Sequence, residues 1–170
     1  MSRLSEAHDL AVEAHEGLMY GKDPYMFHIY AVLSVLVDRL GYSEEYEDLF
    51  IACLLHDTVE DTDVRISDIA LLFGERVAAL VDAVTCRPAR SRKEKFAEAY
   101  PRIRATKGAV LVKLADRLAN VRAGIATRSP LVLMYLKEYP TFRDELRDPS
   151  DALAKPMWDE LDRLLGWEPS

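Results

Sequence analysis

The sequence predicts an all-α protein folded as a helical bundle, and three observations support that prediction. Only seven glycines and eight prolines punctuate the 170 residues, so breaks in regular structure are few. The apolar residues recur mostly at three- and four-residue spacing, which is the period of an amphipathic helix. Two stretches, which begin at Leu49 and at Ala109, are strongly apolar and are typical of helices at the centre of a bundle.

The composition is that of a globular protein, with 49% hydrophobic and 30% charged residues. No apolar run reaches the roughly 18 to 20 residues of a membrane span, and the N-terminus lacks a signal-peptide core, so we expect a cytoplasmic location and no membrane partner. Cys53 and Cys86 are isolated and are predicted to be free thiols. The net charge of −7 argues against general nucleic-acid binding.

The N-terminal part is predicted to form two helices joined by a turn. The first helix covers about residues 4–18, with apolar side chains along one face and a serine cap at its start. A turn over residues 21–25 follows, because Pro24 disfavours helix at the residue before it. The second helix runs over about residues 29–40 and is closed by a glycine. His28 lies at the start of this helix, and taken alone it indicates no function.

The third predicted helix begins at Ser43, and its body Leu49–Leu55 is apolar on all sides. His56 and Asp57 follow directly. Two polar residues that continue a buried helix incur a large desolvation penalty unless they are paired or bound to a metal. An imidazole beside a carboxylate suits Mn, Fe or Zn better than a site made only of thiolates or only of oxygens.

Further acidic residues fit a metal site of this kind. Glu60 and Asp61 lie one helical turn on, close enough to handle protons on a metal-bound water. Asp116 lies inside the apolar helix that begins at Ala109, with Asn120 four residues on along the same face. An aspartate on an apolar helix face is unfavourable without a partner. Asp116 is therefore a natural further ligand, beside His56 and Asp57.

The segment between the two apolar helices carries a local excess of positive charge. Short helices are predicted over residues 67–73 and 75–85, followed by a basic connection and a helix that Pro101 interrupts. Residues 86–128 contain 12 Lys and Arg residues but only three acids, a local balance of +9, while the remainder carries −16. Such a segment is a candidate for steering a compact polyanion. The alternative is an ordinary solvated helix face.

The acidic C-terminal third shows no charge constellation of this kind. Its predicted amphipathic helices cover residues 131–138, 139–147 and 152–165. Three roles stay open for these helices: covering the site, forming an interface between copies in a homo-oligomer, or completing the bundle. Because no linker or repeat interrupts the chain, we expect one domain over residues 1–170, with a core over about 4–125 and completing helices over about 130–166.

Six short motifs together form a specific pattern. They are Ala14-His15-Glu16-Gly17, Pro24-Tyr25 with His28, HDTVEDTD at 56–63, Phe73-Gly74, Val84-Thr85, and KLADRLAN at 113–120. In combination they resemble the HD-domain superfamily, and within it the hydrolase domain of the RelA/SpoT enzymes and their small stand-alone relatives. The resemblance implies an all-α, single-domain HD-type helical bundle.

The resemblance also implies a metal-dependent phosphohydrolase. The reaction would remove the 3′-pyrophosphate from (p)ppGpp, giving GDP or GTP and pyrophosphate. One divalent ion is implied, Mn²⁺ first, with Fe²⁺ or Zn²⁺ as alternatives. Its ligands would be His28, His56, Asp57 and Asp116. Glu60 and Asp61 correspond to the acidic pair that activates and orients the nucleophilic water.

The expected partner is a small-molecule phosphorylated nucleotide, which needs more positive charge than one cation provides. The residues expected to bind it are Tyr20, Lys22, Arg87, Arg92, Lys93, Lys107, Lys113 and Asn120. By the resemblance, the asparagine would contact the ribose or a phosphate.

Two positions depart from the family pattern. Tyr20 stands where the family commonly has an arginine that packs on the guanine base, and Ile29 stands where a proline usually follows the histidine. A tyrosine ring can stack on a base but presents no cationic fork. Hydrolysis of another nucleotide, such as a dinucleotide-cofactor phosphate or a nucleoside mono- or triphosphate, therefore stays open. So does a nucleotide-binding regulatory module that has lost turnover.

Overall fold

The structure is a computed structural model that describes residues 2–168. In that part of the chain ten α-helices, one short 3-10 helix and one small hairpin are found, so the predicted all-α fold is confirmed. The α-helices are α1 Arg3–Ala14, α2 Met26–Leu40, α3 Glu47–Leu55, α4 Thr58–Asp61, α5 Ile66–Phe73, α6 Glu75–Val84, α7 Arg92–Ala105, α8 Ala109–Ala126, α9 Leu131–Leu146 and α10 Lys155–Leu165. The other elements are β1 Met19–Tyr20, β2 Asp23–Pro24 and the 3-10 helix Glu44–Tyr46. None of the helices within residues 2–168 is both long and apolar enough to cross a membrane.

The connection between α1 and α2 differs from the predicted turn. Helix α1 ends at Ala14, four residues early, and the chain then forms the antiparallel hairpin β1–β2, in which Tyr20 pairs with Asp23. The Tyr25 backbone N–H donates to Leu18 O at 3.0 Å and closes the hairpin. Strands of two residues are too short to show the alternating pattern by which a sequence indicates a strand. The hairpin brings two tyrosines to the N-terminal end of α2.

Helices α3 and α8 form the centre of the bundle, as the two apolar stretches predicted. All seven residues of Leu49–Leu55 are buried. Helix α3 packs against α1, α2, α6 and α8, and α8 packs in addition against α7, α9 and α10. The metal-site candidates follow α3, lie within α8 and begin α2, so three adjoining helices direct them to one place.

Two prolines lie inside helices that the sequence predicted to be divided. Pro101 lies within α7, and Pro140 lies within α9, which is one helix rather than two. A proline in a helix interior costs about 3 kcal/mol. In α9 the buried side chains of Tyr139 and Phe142 flank the proline, and burial of each such ring contributes about 1.5–3 kcal/mol. Tertiary packing therefore outweighs the local preference.

The C-terminal helices pack onto the rest of the bundle. Helices α9 and α10 both contact α8, and α9 also contacts α7. The Tyr139 hydroxyl donates to Asp162 Oδ1 at 2.6 Å, and Arg143 Nε donates to the same oxygen at 2.9 Å, which joins α9 to α10. Within residues 2–168 the last helices thus complete the bundle, and one domain over residues 1–170 stays a prediction.

Gly108→Ala is expected to destabilise the protein more than Gly166→Ala does. Both glycines have left-handed helical backbone, with φ of 89° and 62°, a conformation that costs an alanine about 1–2 kcal/mol. A Cβ at Gly108 would lie only 2.8 Å from Leu49 Cδ2, whereas nothing lies within 4 Å at Gly166. We therefore expect a further loss of about 1–3 kcal/mol at Gly108 from overpacking, measured by urea unfolding. Equal losses for the two variants would contradict this close contact.

Candidate metal centre

Four side chains from three helical segments converge at one point. His28 lies in the first turn of α2, His56 and Asp57 lie in the turn after α3, and Asp116 lies in the middle of α8. Asp57 Oδ2 is 3.5 Å from His28 Nε2 and 2.9 Å from His56 Nε2. Asp116 Oδ1 is 3.6 Å and 3.9 Å from the same two nitrogens. The structure thus brings the four predicted ligands together.

The hydrogen bonds of His56 show that this donor set fits a cation. Its Nδ1 lies 2.8 Å from Cys53 O, and because a carbonyl only accepts, Nδ1 carries the proton. The lone pair of Nε2 therefore faces the site. This atom is buried and has no hydrogen-bond partner, although it lies 2.9 Å from a carboxylate oxygen of Asp57. Two acceptors at this distance repel each other unless a cation or a proton lies between them.

Without a metal ion, a proton takes this place. Burial lowers the pKa of His56, but the carboxylates of Asp57 and Asp116 outweigh burial and raise it to about 9. Burial would raise the pKa of Asp57, yet the charges and hydrogen bonds of His56 and His28 hold it well below its usual range. Both carboxylates are thus ionised at neutral pH, and a divalent ion would displace a proton from His56 on binding.

Asp116 is held by two neighbours on its own helix. Lys113 Nζ donates to Asp116 Oδ2 at 2.8 Å. Asn120 Nδ2 donates to Asp116 Oδ1 and, at 3.0 Å, to the backbone carbonyl of Asp116. Burial opposes ionisation of Asp116, but the positive charge of Lys113 outweighs it and keeps the pKa below the usual value. Such outer contacts orient a ligand toward its metal.

Tyr25 links one predicted ligand to one of the predicted catalytic acids. Its hydroxyl lies 2.8 Å from Asp57 Oδ2 and 2.8 Å from Asp61 Oδ2. Its ring stacks on His15, with centroids 4.8 Å apart. Burial raises the pKa of Asp61. The tyrosine belongs to the motif formed by Pro24-Tyr25 and His28, but the sequence alone assigned it no role.

Glu60, the other predicted catalytic acid, is fixed by the chain after α6. Its Oε1 accepts from Lys95 Nζ at 2.9 Å, and its Oε2 accepts from the backbone N–H of Cys86 at 3.0 Å. Lys95 is on α7 and Cys86 is in the connection before it, so this acid lies between the metal-site candidates and the basic segment.

The site opens into a cavity of about 250 Å³. Three of the predicted ligands line it, together with Glu60 and Asp61. Among the residues that the structure describes, its cationic lining side chains are Arg92, Lys95, Lys113 and Arg117. Arg92 and Arg117 share one partner, Glu138 of α9, so this carboxylate leaves one positive charge between them uncompensated. The arrangement suits a phosphate group held between a metal ion and guanidinium groups.

The structure separates the predicted nucleotide-binding residues into two groups. Those that line the cavity are Tyr20, Arg92, Lys113 and Asn120, and those that do not are Lys22, Arg87, Lys93 and Lys107. Arg87 Nη1 pairs instead with Glu98 at 3.2 Å, and Lys107 lines a different cavity at the start of α8. A count of charges along the chain does not tell which face of a helix each charge occupies.

Six cavity residues received no role from the sequence: Tyr25, Cys86, Lys95, Phe96, Arg117 and Tyr135. Lys95 follows Arg92 at helical spacing, and Arg117 follows Asp116 in the KLADRLAN motif. The sequence therefore placed both of them beside predicted site residues. Tyr135 comes from α9, where no pattern in the sequence indicated a site. Only the packing of α9 across α7 and α8 reveals that the acidic C-terminal third forms part of the cavity wall.

Comparisons with known proteins agree with this geometry. The family model described as HD domain matches residues 7–130. The guanosine-3′,5′-bis(diphosphate) 3′-pyrophosphohydrolase MESH1 of Mus musculus is 38% identical over 128 residues, which are 71% of this chain and 69% of that protein. The bifunctional (p)ppGpp synthase/hydrolase SpoT of Escherichia coli strain K12 is 36% identical over 130 residues, which are 72% of this chain but 18% of SpoT.

Solved structures show the same fold. A structure described as a metazoan ortholog of SpoT that hydrolyzes ppGpp and plays a role in starvation responses has a TM-score of 0.81 at 26% identity, and the match covers 99% of this chain and 98% of that chain. The lmo0812 protein of Listeria monocytogenes EGD-e has a TM-score of 0.66 at 26% identity, over 82% of this chain and 92% of its own. The resemblance seen in the sequence motifs is confirmed, and the chain belongs to the HD-domain family.

Proposed function

We propose that this chain is a metal-dependent phosphohydrolase that removes the 3′-pyrophosphate from (p)ppGpp, giving GDP or GTP and pyrophosphate. The observation that carries the proposal is the convergence of two imidazoles and two carboxylates around the unpartnered His56 Nε2. The relatives named for this reaction, at 36–38% identity, support the choice of substrate. Cytoplasmic location and a homo-oligomeric state stay predictions from the sequence.

The proposed ligands of the divalent ion are His28, His56, Asp57 and Asp116, and we propose Mn²⁺, with Fe²⁺ and Zn²⁺ as alternatives. Two imidazole nitrogens beside two carboxylate oxygens suit these ions better than Ca²⁺, which takes oxygen ligands. When bound, such an ion lowers the pKa of water and neutralises phosphate charge. The remaining contributions come from the protein.

The residues around the ligands have distinct proposed roles. Glu60 accepts a proton from the attacking water, and Asp61, held by the Tyr25 hydroxyl, orients that water. Arg92, Lys113 and the other cavity cations bind the phosphate oxygens. The volume of about 250 Å³ lies below the range of about 300–1,000 Å³ usual for small-molecule pockets. We therefore propose that the phosphates enter the cavity and the nucleoside extends from it.

Another phosphorylated nucleotide remains the second candidate substrate, and the position of Tyr20 favours it. The tyrosine offers no cationic group where the family commonly has an arginine, and its hydroxyl donates to Asn120 Oδ1. A non-catalytic regulatory module is disfavoured, because burial of His28, His56 and Asp116 is costly. A site without turnover would also not need two further acids, Glu60 and Asp61, in the same cavity.

The substrate is tested by incubating the protein and Mn²⁺ with ppGpp, pppGpp, nucleoside mono- and triphosphates and a dinucleotide-cofactor phosphate, and separating the products by anion-exchange chromatography. We expect pyrophosphate and GDP from ppGpp. If inorganic phosphate were released from another nucleotide while ppGpp stayed intact, the second candidate would be the substrate instead. Binding of metal and nucleotide without any turnover would identify the regulatory module.

Removal of the metal is expected to lower the melting temperature. An ion that binds only the native state at 100 times its Kd stabilises it by about 2.7 kcal/mol, which is about 5–11 °C for a protein of this size. Because the pKa of His56 is about 9 without the ion, a proton competes below that pH, so the difference should be larger at about pH 8.5 than at about pH 6.5.

The measurement is thermal unfolding with and without a chelator, with Asp57→Ala as the control that should not respond to the chelator. A wild-type melting temperature that does not change on chelation would contradict the proposed metal centre.

A further inference from the structure

Tyr20 has contacts that suggest a role other than that of the family arginine it replaces. We propose that Tyr20 is a positioning residue for the metal centre, holding His28 by ring stacking and Asp116 through Asn120. The inference rests on the proposed metal site. It assigns Tyr20 to the shell around the ligands rather than to the binding of a nucleotide base.

The first contact fixes Asp116. The Tyr20 hydroxyl donates to Asn120 Oδ1 at 2.7 Å, and Asn120 Nδ2 donates to Asp116 Oδ1. The orientation of the amide follows from chemistry, since the ionised carboxylate of Asp116 only accepts and must face the NH₂ group. The amide oxygen is then left for the tyrosine. Tyr20, Asn120 and Asp116 thus form a chain of hydrogen bonds that ends on a ligand oxygen.

The second contact fixes His28. The rings of Tyr20 and His28 are nearly parallel, at an angle of 14°, with centroids 4.8 Å apart. The rings of Tyr20 and Tyr25 are perpendicular to each other, with centroids 6.1 Å apart. Because the imidazole packs against one face of Tyr20, that face is not available to a base. The stack restricts rotation of His28, whose Nε2 is directed at Asp57 and Asp116.

The hairpin anchors Tyr20 in this position. Tyr20 pairs with Asp23 across the two strands, and Gly21 provides the turn with a φ of 65°. The tyrosine therefore has little freedom to move aside. Asn120 in turn uses one lone pair of its oxygen for Tyr20 and its NH₂ group for Asp116, so only the second lone pair of that oxygen is left for the ribose of a nucleotide.

The test compares Tyr20→Phe with the matched control Tyr30→Phe. Tyr30 also stacks on a histidine, with centroids 5.8 Å apart from His8, and its hydroxyl lies 2.9 Å from His8 Nε2, but the pair lies outside the metal centre. Each variant loses one hydroxyl and keeps its ring. The readouts are the Kd for Co²⁺ and the visible absorption spectrum of bound Co²⁺, neither of which requires turnover.

We expect Tyr20→Phe to weaken Co²⁺ binding about 10-fold, the lower end of the effect of outer-shell contacts, and to change the spectrum. Tyr20→Leu, which also removes the stack, should weaken it further, and Tyr30→Phe should change neither readout. An unchanged Kd and spectrum in Tyr20→Phe would overturn the positioning role. This holds also if the KM for a nucleotide rises, because Tyr20 would then contact the nucleotide rather than position the ligands. If wild type binds Co²⁺ but hydrolyses none of the nucleotides, the proposed function fails, and the Co²⁺ readouts still decide the role of Tyr20.

Discussion

Asp57→Ala is expected to abolish bound metal and phosphohydrolase activity together. Asp57 Oδ2 is the carboxylate oxygen nearest to Nε2 of both His56 and His28, at 2.9 Å and 3.5 Å, and it lies 2.8 Å from the Tyr25 hydroxyl. Loss of this carboxylate leaves two imidazoles and Asp116, with one negative charge fewer to hold a divalent ion. Because the ion supplies several kcal/mol of transition-state stabilisation, we expect kcat/KM to fall at least about 10³-fold.

The matched control for this variant is Asp63→Ala. Asp63 belongs to the same HDTVEDTD string, but it is exposed and does not line the metal cavity. It should keep the metal content, determined by elemental analysis, and the turnover of wild type. Circular dichroism checks that both variants are folded. If Asp57→Ala kept one metal ion per chain and wild-type turnover, the ligand set proposed for this site would be wrong.

The sequence predicted the metal centre better than the substrate side of the cavity, and the reason is physical. Asp116 was recognisable because an ionisable group inside an apolar helix needs a partner, and His56 with Asp57 because they continue a buried helix. His28 carried no such signal, since it lies at the start of a helix, and only its motif assigned it to the site. The structure brings all four together.

The cavity wall depends on which way each helix faces. Lys93 and Lys95 are two residues apart on α7, yet only Lys95 reaches the cavity and pairs with Glu60. Tyr135 and Glu138 come from α9, whose place across α7 and α8 follows from tertiary packing that no local pattern encodes. Local rules also failed at Pro140, where the buried aromatic side chains on either side keep the helix intact.

Glu60→Gln is expected to lower kcat by about 10²–10⁴-fold, the usual contribution of a general base, while the Kd for the metal stays that of wild type. The substitution preserves the volume and one accepting oxygen, but an amide does not accept the proton of a water. The carboxylate bonds to Lys95 and to the Cys86 backbone, and it is not among the four side chains that converge on the cation position. Catalysis and metal binding should therefore separate in this variant, whereas they are lost together in Asp57→Ala.

Glu98→Gln is the matched control for Glu60→Gln. Glu98 also forms an ion pair, with Arg102 at 2.7 Å, but it lies outside the cavity, so its loss tests the effect of removing a glutamate charge from the region of α7. Turnover should be close to wild type in Glu98→Gln. If Glu60→Gln also kept its kcat, the proton of the attacking water would have to go elsewhere. Asp61, which contacts Tyr25 and has a raised pKa, is the other cavity carboxylate outside the proposed ligand set. If Glu60→Gln lost metal and kcat in parallel, Glu60 would belong to the ligand set instead, because a pure proton acceptor has no reason to change the affinity for the ion.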